Sequence, residues 1–521
     1  MSVAAAALMV LLARRVDVNP LDRIGQVSGL AALQLRYALI AVVVLALAVI
    51  TARTRWAAHA PLIRRLGAAT TAGLFGGLVA GAVVIALRGT SWGLFASYGD
   101  VGVITSWVHK LIDTGAMQDN YPPGWPHVLA WYSQLTDTPP EYAQKTLGIV
   151  FTALYGPIAY LSWRLLLSPM WALGLGVVPA MALIDPYKPY TNIMLVVMVP
   201  VMIALLRRLR RSPEAPWRSL VLQGVAFGLG LGVVFLVYSG WFVWSAPGVI
   251  VAALVLFPWR RGWKQGLVLV GVTAAVFFAV SFRHVLGLLR ASQGSGDDSF
   301  FYLDTWIEPT YIAMWKNDLP GETGPWPPLG ELGGVGLFTV LAIAGMAAAI
   351  ALGRKHTVVI TLTSMFAGAW LLRFWFSSQM YATNTVQLYP RSSAELLYCL
   401  LLLAGFAVFY GVRRFDGVAA VRERLASPSP AIGALAALML LIASAGSATG
   451  DRYMPRTDNS LGSLATAAQL ARQLDGRCSA YAATLNRGCF EQKDMTFFAV
   501  MGELVDVGPR RGELPHQQPG G

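Results

Sequence analysis

Charged residues are scarce in this chain. Asp, Glu, Lys and Arg make up 13% of the 521 residues and 56% are hydrophobic, whereas soluble domains carry about 25% charged residues. This shortage excludes an ordinary soluble protein. Apolar runs of about 20 residues recur along the chain, and each is long enough to cross the ~30 Å hydrocarbon core of a membrane as a helix. The ~10-residue alternation that membrane β-strands require is missing, so the spans are predicted to be helices.

Two features that are typical of transport proteins are missing from the sequence. No internal repeat is visible, and no predicted span carries a string of carboxylates or histidines. Transporters typically show repeats, broken helices and ionisable groups near the middle of the membrane. The polar residues of this chain gather instead in loops between spans, which favours chemistry at the membrane surface on a lipid-linked substrate.

Cysteine is also rare, with three residues in the whole chain. Cys399 lies in an apolar run and is predicted to be a small core residue. Cys478 and Cys489 lie in the polar C-terminal tail, where a disulfide between them is plausible. No cleavable signal peptide is expected, because the apolar start of the chain lacks a basic region and a small-residue cleavage pattern.

Twelve spans are predicted, which makes the chain an all-α polytopic membrane protein with about 12–13 transmembrane helices. The thirteenth candidate, Ala4–Ala13, is short for a span. It either crosses the membrane in part or lies at the membrane surface as an interfacial helix. The twelve predicted spans are Leu33–Ile50, Leu66–Leu87, Leu147–Leu167, Met170–Ile184, Asn192–Leu206, Leu220–Val237, Trp241–Phe257, Leu267–Phe282, Val335–Leu352, Val358–Leu372, Leu396–Val412 and Ile432–Ser444.

The net charge of +13 is concentrated in short basic clusters between these spans, as the positive-inside rule expects, and gives no sign of nucleic-acid binding. Placing the clusters in the cytoplasm gives one consistent orientation. A transmembrane domain of residues 1–449 then carries structured outer loops at about 93–144, 283–332 and 374–394. Residues 450–521 form a short outer C-terminal segment whose end is predicted to be disordered.

Asp100 is the leading candidate for a reactive group. It follows an apolar span at the predicted outer surface, and a carboxylate there can act as the base that activates an acceptor hydroxyl. The alternative is an N-cap of a helix that begins at about Val101. Asp113 and Asp119 are weaker candidates on the same loop.

The run Asn120–Pro126 in the same loop is stiff, because proline fixes φ and restricts the residue before it. Tyr121 and Trp125 in this run, with Tyr98 before Asp100, are candidates for stacking on a sugar or a polyprenyl chain. An interfacial aromatic belt is the alternative. His109 and His127 are candidates for phosphate contact, or are structural.

Basic residues on the predicted outer side are unexpected and suggest a phosphate site. Arg391, Arg373 and Lys188 are the candidates, because a phosphate leaving group needs cationic stabilisation. Snorkelling towards lipid headgroups is the alternative. The sequence identifies no definite cofactor. The adjacent carboxylates Asp297 and Asp298 could hold a divalent cation, or belong to an exposed acidic loop.

Three motifs carry a family resemblance. They are Met380-Tyr381-Ala382-Thr383-Asn384-Thr385-Val386-Gln387-Leu388-Tyr389-Pro390-Arg391, Tyr121-Pro122-Pro123-Gly124-Trp125 and Asp451-Arg452-Tyr453-Met454-Pro455-Arg456. With a first large outer loop that bears an acid, the chain resembles C-class glycosyltransferases. More specifically, it resembles the galactan 5-O-arabinofuranosyltransferases of arabinogalactan-building actinobacteria.

The resemblance implies an inverting transfer of arabinofuranose from decaprenyl-phosphoryl arabinose to the 5-hydroxyl of galactofuranose in a lipid-linked galactan. It implies a multi-pass protein of the plasma membrane whose active site faces the periplasm among membrane lipids. Asp100 would be the base, Arg391 would lie near the donor phosphate, and Gln387 and Tyr389 would contact substrate. Another polyprenyl-phosphate arabinosyl- or mannosyltransferase, or a lipid-linked-sugar transporter, are the alternatives.

Overall fold

The computed structural model describes residues 1–21, 29–53, 60–96, 99–292, 337–383, 392–415, 428–456, 462 and 464–469. Within these residues every regular element is a helix, which confirms the predicted all-α class. In chain order the helices are α1 (Ser2–Arg14), α2 (Leu30–Arg53), α3 (Ala60–Ala86), α4 (Gly99–Thr114), α5 (Gly124–Thr136), α6 (Pro140–Trp163), α7 (Pro169–Met181, π-helical over Leu173–Val177), α8 (Pro189–Arg210), α9 (Trp217–Val237), α10 (Gly240–Leu256), α11 (Trp263–Ser292), α12 (Leu337–Gly353), α13 (Thr357–Thr383), α14 (Ser392–Phe415) and α15 (Pro428–Arg452).

In the part of the chain that the structure describes, nine helices are long and apolar enough to cross a membrane: α2, α3, α6, α8, α9, α11, α13, α14 and α15. The chain is therefore a multi-pass membrane protein. Each of the twelve predicted spans coincides with a helix, although those at α7, α10 and α12 form shorter apolar helices of 10–17 residues. The doubtful N-terminal candidate is also helical, as the 13-residue α1.

Two sets of contacts define one end of the helix bundle. After α3, Arg88 donates hydrogen bonds to the backbone carbonyls of Arg14 and Val16 at the end of α1. The indole N–H of Trp241, at the start of α10, donates to the carbonyl of Thr191 in the first turn of α8 at 2.8 Å. We call this end of the bundle the Asp100 end, and the opposite end, where α8 finishes, the Arg210 end.

A stripe of glycines fixes α1 against α3. Gly73, Gly77 and Gly81 recur every four residues on α3, so they share one face. A Cβ at Gly77 would lie 2.7 Å from Cβ of Met9, and a Cβ at Gly81 would lie 3.1 Å from Cβ of Ala13. Small residues at this spacing allow membrane helices to approach closely. The stripe thereby holds the C-terminus of α1, with its arginines, at the Asp100 end.

Candidate functional site

The backbone that leads to Asp100 follows an unusual path. Phe95 and Ala96 have φ angles of 65° and 52°, and Gly99 has a φ of 60°. Positive φ is uncommon for residues with a side chain and persists where surrounding contacts hold it. Here the Phe95 N–H donates to the carbonyl of Leu464 at 2.7 Å, so the start of the C-terminal segment fixes this turn.

Gly99 is required at the start of α4 for a second reason. A Cβ at Gly99 would lie 2.9 Å from the hydroxyl oxygen of Tyr187, in the segment that precedes α8. The ring of Phe95 packs edge-on against the same tyrosine, with centroids 6.2 Å apart. The chain therefore passes close to Tyr187 immediately before the carboxylate of Asp100.

Asp100 and Lys188 form an ion pair across this junction. Asp100 lies in the first turn of α4, and the Nζ of Lys188, just before α8, donates to its Oδ2. The side chain of Asp100 is 56% exposed and that of Lys188 is 26% exposed. The carboxylate predicted as a base and one cation predicted for phosphate contact thus meet at an accessible position, although 88 residues separate them in the chain.

A buried carboxyl group shapes the turn that carries Lys188. The backbone N–H of Tyr187 donates to Oδ1 of Asp185 at 3.0 Å, and the hydroxyl of Tyr453 donates to the same oxygen at 3.3 Å. Burial is the main cause that raises the pKa of Asp185, and these hydrogen bonds oppose the rise. Tyr453 follows α15 and belongs to one of the motifs that carry the family resemblance, so that motif supports the position of Lys188.

The aromatic run of the first outer loop packs on the start of α8. The hydroxyls of Tyr121 and Tyr190 are 2.8 Å apart, and the ring of Trp125 stacks on Tyr190 with centroids 4.8 Å apart at 12°. Trp107 contacts Tyr121 at 4.4 Å between centroids. Trp125 is only 2% exposed, so its ring is buried against protein in this structure. Tyr121 is partly exposed, so of the two predicted stacking residues in this run it is the accessible one.

The two predicted histidines make local contacts in this loop. Nε2 of His109 lies 2.9 Å from Oε1 of Glu141, and this hydrogen bond is the largest cause that raises the pKa of His109; burial opposes it. Nδ1 of His127 lies 2.7 Å from the backbone carbonyl of Pro123. Both rings therefore contact protein groups of the outer loop.

Arg373 is buried between α13 and α14. It is 2% exposed and donates to the hydroxyls of Ser392, at 3.1 Å, and Ser393, at 2.6 Å. One turn further on, the fully buried Glu395 accepts a hydrogen bond from Ser245 at 2.8 Å. Arg373 thus fixes the start of α14, which directly follows the segment that contains Arg391.

An apolar groove of about 720 Å³ runs between α1, α3 and α6. Arg14, Arg88 and Lys145 line it at the Asp100 end, and most of the remaining lining is aliphatic. The ammonium group of Lys145 donates to the carbonyls of Leu87, at 3.1 Å, and Thr90. Arg88 also pairs with Asp17 at 2.7 Å. The groove therefore combines a long apolar wall with a cationic end.

A narrow cleft lies beside the cationic end of the groove. Lys145 lines this cleft together with Val101, Pro186 and Tyr187. Val101 follows Asp100 and Tyr187 precedes Lys188 in the chain. Lys145 and chain neighbours of both members of the ion pair thus line the same small cleft.

Several predicted site residues lie outside the described residues. They are Tyr98, Gln387, Tyr389, Arg391, the proposed disulfide partners Cys478 and Cys489, and the acidic pair Asp297 and Asp298. Among the residues that the structure does describe, no group of three or more His, Cys, Asp or Glu side chains could hold a metal ion.

Sequence reasoning missed five residues near these contacts: Lys145, Glu141, Asp185, Tyr190 and Glu395. Glu141 and Glu395 had a usable signal, because each is a single carboxylate near the start of an apolar span. Nothing local distinguished Lys145 or Tyr190, whose roles depend on neighbours distant in the chain.

Comparison with known proteins gives little direct guidance. No family model and no curated protein matches the chain. Among solved structures, the chain is similar to that of ArnT from Cupriavidus metallidurans bound to undecaprenyl phosphate, with 14% identity and a TM-score of 0.45. The overlap covers 78% of this chain and 80% of that one. A TM-score of this size does not assign a fold family.

Proposed function

We propose that this protein is a C-class-like glycosyltransferase that uses a polyprenyl-phosphate sugar. In its most specific form, the proposal is inverting transfer of arabinofuranose from decaprenyl-phosphoryl arabinose to the 5-hydroxyl of galactofuranose in lipid-linked galactan. The family resemblance supports the identity of the sugars. The observation that carries the proposal is the accessible Asp100–Lys188 ion pair, which lies at the same end of the bundle as the cationic end of a groove with an apolar wall.

The pair supplies the two groups that such a transfer requires. The acceptor hydroxyl attacks the anomeric carbon from the face opposite the lipid phosphate, and the bond between that carbon and the phosphate oxygen breaks. Asp100 takes the hydroxyl proton, because its exposed carboxylate can reach an acceptor. The lipid phosphate leaves with an added negative charge, which Lys188 stabilises.

Donor binding would also prepare the base. A carboxylate that is paired with an ammonium group is a weaker proton acceptor than the same carboxylate alone. When the donor phosphate takes over the contact with Lys188, Asp100 loses its counter-ion and becomes more basic. The pair therefore favours proton transfer only after the donor has bound.

The groove between α1, α3 and α6 suits the lipid part of the donor. A polyprenyl chain is long and apolar and bears its charge at one end, which matches an aliphatic wall with Arg14, Arg88 and Lys145 at the Asp100 end. We assign this end to the periplasmic face of the plasma membrane, because the basic loop clusters lie at the other end. Arg391 remains a candidate for the donor phosphate.

Sugar transfer by the purified protein tests the proposal. With decaprenyl-phosphoryl arabinose and a synthetic galactofuranose acceptor in lipid nanodiscs, we expect the wild type to form product. Asp100→Asn should reduce kcat by about 10²–10⁴-fold, the usual contribution of a general base, with donor affinity nearly unchanged. Asp113→Asn is the matched control, because Asp113 is an exposed aspartate on the same helix.

The outcomes separate the alternatives. Full activity of Asp100→Asn would contradict the base assignment. Transfer from a mannosyl donor but not from the arabinosyl donor would keep the reaction class and change the sugar. A protein that binds donor and moves it between leaflets without forming product would be a transporter, and its activity should tolerate Asp100→Asn.

A further inference from the structure

A second large cavity lies at the Arg210 end, on the side of the bundle opposite Asp100. It has a volume of about 860 Å³ and lies between the end of α8, the start of α13 and the second half of α14. Five cationic side chains line it, together with one carboxylate, Glu214, among the described residues. The five are Arg207, Arg210, Arg211, Lys355 and Arg413.

One of the cationic groups packs on an aromatic side chain of the cavity. The guanidinium carbon of Arg413 lies 4.8 Å from the ring centroid of Phe409, which is buried. The ring of His356 stacks on Tyr410, with centroids 4.4 Å apart at 18°. The stacked pair joins the turn before α13 to α14, so the lining is formed by helices and by the short connections between them.

The positive charge of the cavity lining changes the pKa of a histidine that also lines it. Burial lowers the pKa of His356, and the positive charges of Arg210 and Arg413 lower it further. Arg210 also donates to the backbone carbonyl of Lys355 at 2.6 Å, which draws the end of α8 to the turn before α13. Among the described residues that line it, the cavity therefore carries more positive than negative charge.

The positive-inside rule alone does not account for this arrangement. It predicts basic residues at this end, and Arg260, Arg261 and Arg354 satisfy it without lining the cavity. Arg207 and Arg413 are exposed as well, but they come from different helices and converge on one concave site. Repulsion between converging cations costs free energy unless an anion occupies the site.

We propose that this cavity binds a phosphate group, supplied by the headgroup of an anionic phospholipid from the adjacent leaflet. Guanidinium groups bind phosphate through paired, charge-assisted hydrogen bonds. Basic pockets between helix ends on the cytoplasmic side are suited to anionic headgroups. The aliphatic side chains of Leu166, Val358 and Val412 also line the cavity, next to the arginines, and can contact the first part of the acyl chains. The inference is independent of the proposed transfer reaction.

The test compares one double variant with a matched control in defined lipids. Arg207→Gln/Arg413→Gln removes two cations that line the cavity, whereas Arg260→Gln/Arg261→Gln removes two exposed cations at the same end that do not. Purified proteins are placed in nanodiscs of phosphatidylcholine alone or with one-third phosphatidylglycerol. We expect phosphatidylglycerol to raise the apparent Tm of the wild type and the control by about 2–4 °C. The cavity variant should show no rise.

Two further measurements make the result decisive. A fluorescent phosphatidylglycerol analogue should bind the cavity variant about tenfold more weakly than the wild type and the control. An equal response of all three proteins to phosphatidylglycerol would overturn the proposal. If inorganic pyrophosphate, added to phosphatidylcholine nanodiscs, protects the wild type while phosphatidylglycerol does not, the phosphate site stands and the lipid source is wrong.

Discussion

The two ends of the bundle differ in how they arrange charge. At the Asp100 end, side chains of opposite charge are paired across elements: Asp100 with Lys188, Asp17 with Arg88, and Glu141 with His109. At the Arg210 end, five cations and one carboxylate of the described residues share a cavity. Paired charges hold a site ready before its substrate arrives, whereas like charges in a concave site need an anion from outside.

Among the substitutions that test this contrast between the two ends, replacement of Lys188 should have the largest effect on activity. Lys188→Met removes the counter-ion of Asp100 and the cation proposed to stabilise the leaving phosphate. Loss of a hydrogen bond between charged groups costs about 1.5–3 kcal/mol, so we expect kcat/KM for the donor to fall roughly 10–100-fold. Steady-state transfer assays with varied donor concentration measure it.

Lys110→Met is the control for that experiment, since Lys110 is an exposed lysine on α4. It should keep wild-type kinetics. Unchanged kinetics in Lys188→Met would remove Lys188 from the reaction and would leave its pair with Asp100 as a purely structural contact.

The pair of His109 and Glu141 should produce a smaller, pH-dependent effect. Because the folded-state pKa of His109 is raised above 6.5, the protonated pair stabilises the fold at low pH and loses its contribution as pH rises through that pKa. Since His109 is half-exposed, solvent screening limits the effect to about 0.5 kcal/mol. The apparent Tm of the wild type should therefore be higher than that of Glu141→Gln. This difference in Tm should be about 1–2 °C larger at pH 5.5 than at pH 8.

Thermal unfolding in nanodiscs at the two pH values checks this prediction. His109→Gln should behave like Glu141→Gln and show no additional change when the two are combined. A difference between wild type and Glu141→Gln that is the same at both pH values would show that Glu141 acts without the histidine.

Removal of one cation at the Arg210 end should have the smallest effect. Unlike the changes at the Asp100 end, it should not lower stability or activity. Arg207→Gln relieves repulsion in the cavity, so in phosphatidylcholine nanodiscs it should leave the free energy of unfolding unchanged or raise it by up to about 0.5 kcal/mol. The apparent Tm at low ionic strength measures it. A clear loss of stability in the absence of anionic lipid would mean that Arg207 is paired in the folded protein, and the contrast between the two ends would fail.

The sequence by itself determined the membrane class and the all-α content. Apolar runs are local patterns, and each reports directly on whether a segment can lie in hydrocarbon. The orientation that the basic clusters indicate stays a prediction. The prediction that a helix begins near Val101 succeeded for the same reason, since α4 begins at Gly99. The helices α7, α10 and α12 also coincide with predicted spans, but they are shorter than the other spanning helices.

Only the tertiary structure decided which side chains meet. Asp100 and Lys188 are 88 residues apart, and Tyr121 and Tyr190 are 69 apart, so no local pattern could pair them. The burial of Trp125 likewise depends on Tyr190 from another helix. The convergence of Arg207 with Arg413 also had no sequence signal, because the positive-inside rule counts basic residues without saying which of them share a cavity. Long-range packing fixes these contacts, and composition and periodicity do not record it.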